Sequence, residues 1–194
     1  MNLPNKLTVL RMVMVPFFVF FMLMPGIPHH YLFALVIFSA ASITDHLDGR
    51  IARSRGLITN FGKLMDPLAD KILVVSALIC MVALGLTNAW FVIIIVAREF
   101  LVTAIRQLAV ESGVVIPANN WGKAKTVSQM VAIITVLALQ YLNELLTGVF
   151  ALDLGMWSGV FLLIGDVLLG IAVLLTLISG WTYVMQNKKL FTDF

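Results

Sequence analysis

The sequence predicts an all-α, polytopic membrane protein with six transmembrane helices, and three observations carry that expectation. Of 194 residues, 61% are hydrophobic and 12% charged, whereas a soluble domain is roughly half apolar and about a quarter charged. The apolar residues fall in six segments, each long enough for a helical span of ~20 residues. All 13 Lys and Arg residues fall on or near one face once the chain is threaded through those segments. With a mean hydropathy of +1.02 and short connections, no separate soluble domain fits, so residues 1–194 are expected to form a single membrane domain.

A short amphipathic segment opens the chain, and span one runs from about Thr8 to Met24. Span two covers His30 to about Arg53, and span three about Asp66 to Leu84. Span four covers Asn88 to about Leu108, span five about Lys123 to Tyr141, and span six about Ser158 to Gln186. Pro25-Gly26-Ile27-Pro28, Gly85-Leu86-Thr87-Asn88, the stretch Pro117 to Gly122 and the segment Asn143 to Gly159 punctuate them. Helices are the natural assignment, because lipid admits only helices and closed barrels.

Lys6 and Arg11 before an apolar run suggest a signal peptide, yet no small-x-small cleavage pattern follows, so the segment is expected to be retained. The sole cysteine, Cys80, excludes an intrachain disulfide and a cysteine metal site. The connections after spans one, three and five carry no Lys or Arg, and the last carries Glu144 and Asp153. The positive-inside rule therefore assigns both termini and the basic face to the cytoplasm.

Topology does not explain the acids on that basic face. Asp45 and Asp48 lie three apart on the continuation of span two, and Asp66 and Asp70 lie four apart at the start of span three. Helical spacing gives each pair one face, with Pro67 tolerable if it lies in the first turn. Four carboxylates at a membrane boundary repel one another and are expensive to desolvate, so a cation is expected to neutralise them. All-oxygen ligands favour Mg2+ or Mn2+, metals that usually act on phosphates. The small residues Gly49, Ala52 and Gly62 leave room for a nucleotide or pyrophosphate near the backbone. The simpler alternative is surface pairing with Arg50, Arg53, Arg55, Lys63 and Lys71, which accounts poorly for two spaced pairs.

The string Asp45-x-x-Asp48-Gly49-x-x-Ala52-Arg53, then eight residues, then Gly62-x-x-x-Asp66-x-x-x-Asp70 resembles the signature of the CDP-alcohol phosphotransferase family at every fixed position. The resemblance implies six transmembrane helices, usually a homodimer, and transfer of a substituted phosphate from a CDP-linked donor to an alcohol. It implies Asp45, Asp48 and Asp66 as metal ligands of a site expected to hold two ions, with Asp70 a further ligand and the general base. It also implies a CDP-donor site that includes Gly49, Ala52, Arg53 and Gly62, to which the N-terminal segment adds Asn5, Thr8 and Arg11.

Asn2 to Arg11, Arg98-Glu99 to Arg106, and Gly122-Lys123-Ala124-Lys125-Thr126 are similar to the bacterial phosphatidylglycerophosphate synthases of that family. An acceptor carrying its own phosphate needs a cationic pocket, and Arg98, Arg106, Lys123 and Lys125 are expected to converge there. Glu99 either orients an arginine or belongs to a structural ion pair. The expected reaction joins glycerol 3-phosphate to the phosphatidyl group of CDP-diacylglycerol, releasing CMP, at the bacterial cytoplasmic membrane. A cardiolipin synthase using phosphatidylglycerol remains the enzymatic alternative, and a cation transporter the alternative from another class.

His46 and Arg50 occupy variable positions of the signature, and His46 points about 100° away from its aspartate neighbour, so packing or surface roles are expected. Asp166 falls inside span six away from the basic face, where protonation or a bond to Ser or Thr is expected. His29 and His30 sit on the outer connection. The Met and Phe residues are expected to pack or face lipid.

Overall fold

Six apolar stretches separated by Pro, Gly and Asn fold into six helices. The computed structural model describes residues 3–54, 60–111, 120–148 and 155–186. The helices are α1 (Leu3–Leu23), α2 (His30–Ser54), α3 (Asn60–Ala83), α4 (Ala89–Glu111), α5 (Asn120–Gly148) and α6 (Gly155–Gln186), with no strand among the described residues.

The α3–α4 connection shows how the sequence writes a boundary. Gly85 adopts φ 68°, a left-handed conformation that glycine enters without penalty. The Leu86 amide donates to the Met81 carbonyl at 2.8 Å and the Gly85 amide to that of Val82 at 3.0 Å, a Schellman closure of α3. Asn88 then caps α4, its Oδ1 accepting from the Trp90 amide at 2.9 Å.

Several boundaries differ from expectation: α5 runs past Tyr141 to Gly148 and α6 starts at Gly155, so helix takes up both ends of the expected break from Asn143 to Gly159. α3 begins at Asn60 rather than near Asp66, which places Pro67 inside the helix instead of in its first turn. The Lys63 carbonyl therefore loses its helical donor, a loss that membrane helices tolerate when neighbours re-satisfy the group. At the N-terminus the opening segment is continuous with α1, and its polarity is inverted relative to a surface-lying segment. Asn5, Thr8 and Arg11 are buried while Leu10 and Phe17 are exposed.

Successive helices run up and down. Val136 of α5 lies against Gly165 of α6, and Gly122 lies near Ser179, so these two helices are antiparallel. At one end of the bundle Glu144 of α5 accepts from the His30 and Tyr31 amides at 3.2 and 3.3 Å, capping α2. His30 Nδ1 also meets the Phe21 carbonyl there. Toward the other end the middle of α4 meets the middle of α3, the start of α5 and the latter part of α6. The core between the ends includes Phe18, Phe38, Leu73, Met81, Ile133, Leu137 and Leu169, and the Phe18 and Phe38 rings lie 5.7 Å apart. Since lipid is as apolar as these side chains, close packing holds the helices together more than water exclusion does.

Three helical stretches, Asn5–Leu23, Asn120–Gly148 and Trp157–Gln186, are long and apolar enough to cross a membrane, and His30–Thr44 is a shorter apolar stretch, among the described residues. α3 and α4 place charged side chains inside the helix (Asp70, Lys71, Arg98, Glu99), which dilutes their hydropathy. Trp90 and Trp157 are exposed toward one end of the bundle, Trp121 and Trp181 toward the other. Tryptophans at two levels are the pattern of a membrane protein's interfacial belts.

Candidate active site

At the basic end, helices α3, α4, α5 and α6 diverge around a cavity of about 560 Å³, within the usual size of small-molecule sites of roughly 300–1,000 Å³. Asp70 and Lys71 of α3 form one part of its wall, Arg98, Glu99 and Arg106 of α4 another, and Lys123 and Thr126 of α5 a third. Ser179 and Tyr183 of α6 complete it. Four basic side chains, Lys71, Arg98, Arg106 and Lys123, face two carboxylates, Asp70 and Glu99, so the cavity is matched to an anion, and Glu99 is already engaged in ion pairs.

Arg98 and Arg106 share the cavity because they are two helical turns apart. Arg98 is held on both sides: Nη1 lies 3.3 Å from Glu99 Oε1 and Nη2 donates to Ser179 Oγ at 2.5 Å. Glu99 Oε1 also receives Lys125 Nζ, forming a second ion pair. The expected alternatives for Glu99, orienting an arginine or joining a structural pair, thus coexist in one carboxylate.

Lys125 is set apart from the other three expected phosphate ligands. It is buried and lines a smaller void of about 30 Å³ rather than the large cavity. Asp70, Lys71, Glu99 and Thr126 line both spaces, so they form the partition, with Lys125 on its far side. The reason is helical phase: Lys123 and Lys125 are about 200° apart on α5, and the inward position meets Glu99.

Lys71 joins the site although its position in the sequence reads as one more boundary cation. Its Nζ donates to Thr103 Oγ1, which donates to the Glu99 carbonyl at 2.7 Å. This chain ties the segment carrying Asp70 to α4. Thr103, Ser179 and Tyr183 also escape sequence reading, because single polar residues in apolar helices carry no spacing signal until the helices are brought together.

The side chains of Asp45, Asp48, Gly49, Ala52, Arg53, Gly62 and Asp66 lie outside the described residues, as do those of His46 and Arg50. The backbone settles their register: α2 continues as helix through Asp45 and Asp48, while Asp66 and Asp70 are one turn apart on α3. The two helices pack against each other. Among the described residues no three His, Cys, Asp or Glu side chains cluster. An all-carboxylate donor set on two packed helices fits a hard divalent ion. Asn5, Thr8 and Arg11 lie at this same end, buried along one face of α1. At the opposite end Asp166 accepts from Thr87 Oγ1 at 3.3 Å, the hydroxyl contact expected for an isolated membrane acid.

Residues 1–178 match the CDP-alcohol phosphatidyltransferase family. The chain belongs to that family. It is 41% identical to the CDP-diacylglycerol--glycerol-3-phosphate 3-phosphatidyltransferase of Bacillus subtilis, over 96% of this chain and 95% of that protein. A probable phosphatidylglycerophosphate synthase of Mycobacterium tuberculosis is likewise 41% identical, over 97% of this chain and 82% of the other. The corresponding phosphatidyltransferase of Rickettsia felis is 35% identical over 98% and 97%. The match to the CDP-alcohol phosphatidyltransferase family covers the cavity-lining parts of α3, α4 and α5 and ends in α6 one residue before Ser179.

Proposed function

We propose that this protein transfers the phosphatidyl group of CDP-diacylglycerol to glycerol 3-phosphate, giving phosphatidylglycerophosphate and CMP. The observation that carries the reading is the shared wall of one cavity, where the Asp70 carboxylate stands among the cations Arg98, Arg106 and Lys123. An acceptor that is both an alcohol and a phosphate needs those two features side by side. The names of the similar proteins from three bacterial genera agree with this substrate pair.

In this reading Arg98, Arg106 and Lys123 bind the acceptor's phosphate, and the acceptor's free hydroxyl is directed at Asp70, which removes its proton. The oxygen then attacks the diacylglycerol-bearing phosphorus, and the bond to CMP breaks in line. Asp45, Asp48, Asp66 and Asp70 would hold Mg2+ or Mn2+, two ions in the fullest form, which supply charge neutralisation to the pyrophosphate. Asn5, Thr8, Arg11, Gly49, Ala52, Arg53 and Gly62 would surround the nucleotide. Lys125 supports Glu99 instead of touching the acceptor.

The protein is proposed to cross the bacterial cytoplasmic membrane six times, with both termini and the cavity on the cytoplasmic side, and to act as a homodimer. Trp121 and Trp181 flank the cavity end, which would set its mouth at the lipid–water interface where a soluble acceptor meets a lipid donor. The cardiolipin synthase alternative needs a second lipid to enter the same cavity.

The test is an activity screen of purified protein with CDP-diacylglycerol, with and without Mg2+ or Mn2+, against glycerol 3-phosphate, serine, inositol and phosphatidylglycerol. Metal-dependent CMP release and phosphatidylglycerophosphate are expected with glycerol 3-phosphate. Product with another alcohol alone would reject the acceptor, and no CMP release with any of them would reject the transferase.

A further inference from the structure

The last turns of α6 belong to no part of the signature, yet they meet the arginine that faces the acceptor. Ser179 is buried to 1% exposure within an apolar helix. Its hydroxyl accepts from Arg98 Nη2 at 2.5 Å, while Glu99 meets Nη1 from the other side. The adjacent Gly180 lies so close to the arginine stem that a Cβ there would stand 3.2 Å from Arg98 Cγ. Gly122 completes the slot from α5, with a Cβ built there falling 3.8 Å from Ser179 Oγ. Arg98 therefore runs through a channel of small residues and ends in a hydroxyl, and its side chain is 13% exposed.

We infer that Ser179 is a positioning residue for acceptor binding: it fixes the rotation of the Arg98 guanidinium so that the second N–H of Nη1 and that of Nη2 address the acceptor's phosphate. This deepens the proposed function and rests on it. A guanidinium is a rigid planar fork, and its recognition of a phosphate depends on the angle of that plane. Glu99 alone fixes one nitrogen and leaves the plane free to turn about that contact. Ser179 supplies the second point. Gly180 keeps the stem in place by leaving no bulk to displace it, and the pair Ser179-Gly180 makes the C-terminal part of α6 a determinant of acceptor affinity.

The experiment measures KM for glycerol 3-phosphate and for CDP-diacylglycerol, together with kcat, in wild type, Ser179→Ala, Gly180→Ala and Thr182→Ala. Thr182 lies on the same turn of α6, but its hydroxyl returns to the backbone carbonyls of Ile178 and Ser179 and does not meet Arg98, so its removal is the control for loss of a hydroxyl from this turn. Loss of one hydrogen bond to a charged group corresponds to a rise of about tenfold or more in acceptor KM. The donor KM and kcat are expected to stay within about threefold of wild type, a split that general damage to the fold would not produce. In an Arg98→Lys background, which lacks Nη2, Ser179→Ala is expected to change acceptor KM by less than about twofold.

An unchanged acceptor KM in Ser179→Ala would overturn the inference whatever Gly180→Ala does, as would an equal, additive effect of Ser179→Ala in the Arg98→Lys background. If Ser179→Ala cannot be purified folded, Ser179→Cys, which replaces the hydroxyl with a weak thiol acceptor, is measured against the same expectations. A wild-type protein inert toward glycerol 3-phosphate would reject the proposed function and this inference with it. An active wild type with insensitive variants rejects the inference alone.

Discussion

Replacing Glu99 with leucine is expected to damage the protein far more than replacing its partner Lys125 with methionine. The Lys125 side chain is 4% exposed and that of Glu99 21%, so Glu99→Leu strands a desolvated ammonium. Removing one partner of a buried pair costs about 3–5 kcal/mol, a large part of a total stability of roughly 5–15 kcal/mol. Lys125→Met leaves Glu99 with Arg98 at 3.3 Å and partial solvation, for an expected loss of about 1–2 kcal/mol. The double variant removes both charges together and is expected to recover about 2 kcal/mol relative to additivity. Heating the purified proteins in detergent and following loss of monodisperse elution ranks them as wild type, Lys125→Met, the double variant, then Glu99→Leu. Additive losses, or equal effects of the two single changes, would refute the buried pair. The kinetics give a second arm: Lys125→Met is expected to keep acceptor KM within about twofold of wild type, because Lys125 does not reach the large cavity.

Asp70→Asn is expected to abolish turnover while the folded protein still binds a CDP donor, and near-normal activity would remove Asp70 as base. Gly165→Ala places a Cβ 2.9 Å from Val136 Cγ2, an overpacking expected to cost about 1–3 kcal/mol that Val136→Ala relieves in a thermal assay. Asp166→Asn keeps a hydrogen-bonding partner for Thr87 at the end of the bundle remote from the cavity, so kcat and both KM values are expected to stay within about twofold of wild type. Chelation is expected to stop CMP release, with Mg2+ or Mn2+ restoring it and K+ failing to.

Helix number and order were legible because each boundary is local chemistry: Gly85 and Asn88 carry their own stop and start signals. The early start of α3 was not, since residues 60–65 extend the helix beyond the apolar stretch that marks a span. Arg98 and Arg106 were readable as neighbours on one wall because spacing within one helix fixes a face, whereas the side chains of Asp45, Asp48 and Asp66 lie outside the described residues. What spacing within one helix cannot express is the phase between helices. That phase sends Lys125 behind the partition to Glu99, brings Lys71 to Thr103, and sets Ser179 against Arg98. The buried face of Asn5, Thr8 and Arg11 has the same origin: a polar stripe reads alike whether it meets water or the interior of a bundle.

The central claim, that the cavity selects an alcohol bearing its own phosphate, is tested most directly by comparing kcat/KM for glycerol 3-phosphate with that for glycerol at fixed CDP-diacylglycerol. Sites built to hydrogen-bond a group reject analogues lacking it by about 10⁴-fold, and a preference for glycerol 3-phosphate of that order is expected from Arg98, Arg106 and Lys123. Comparable turnover of the two acceptors would contradict it.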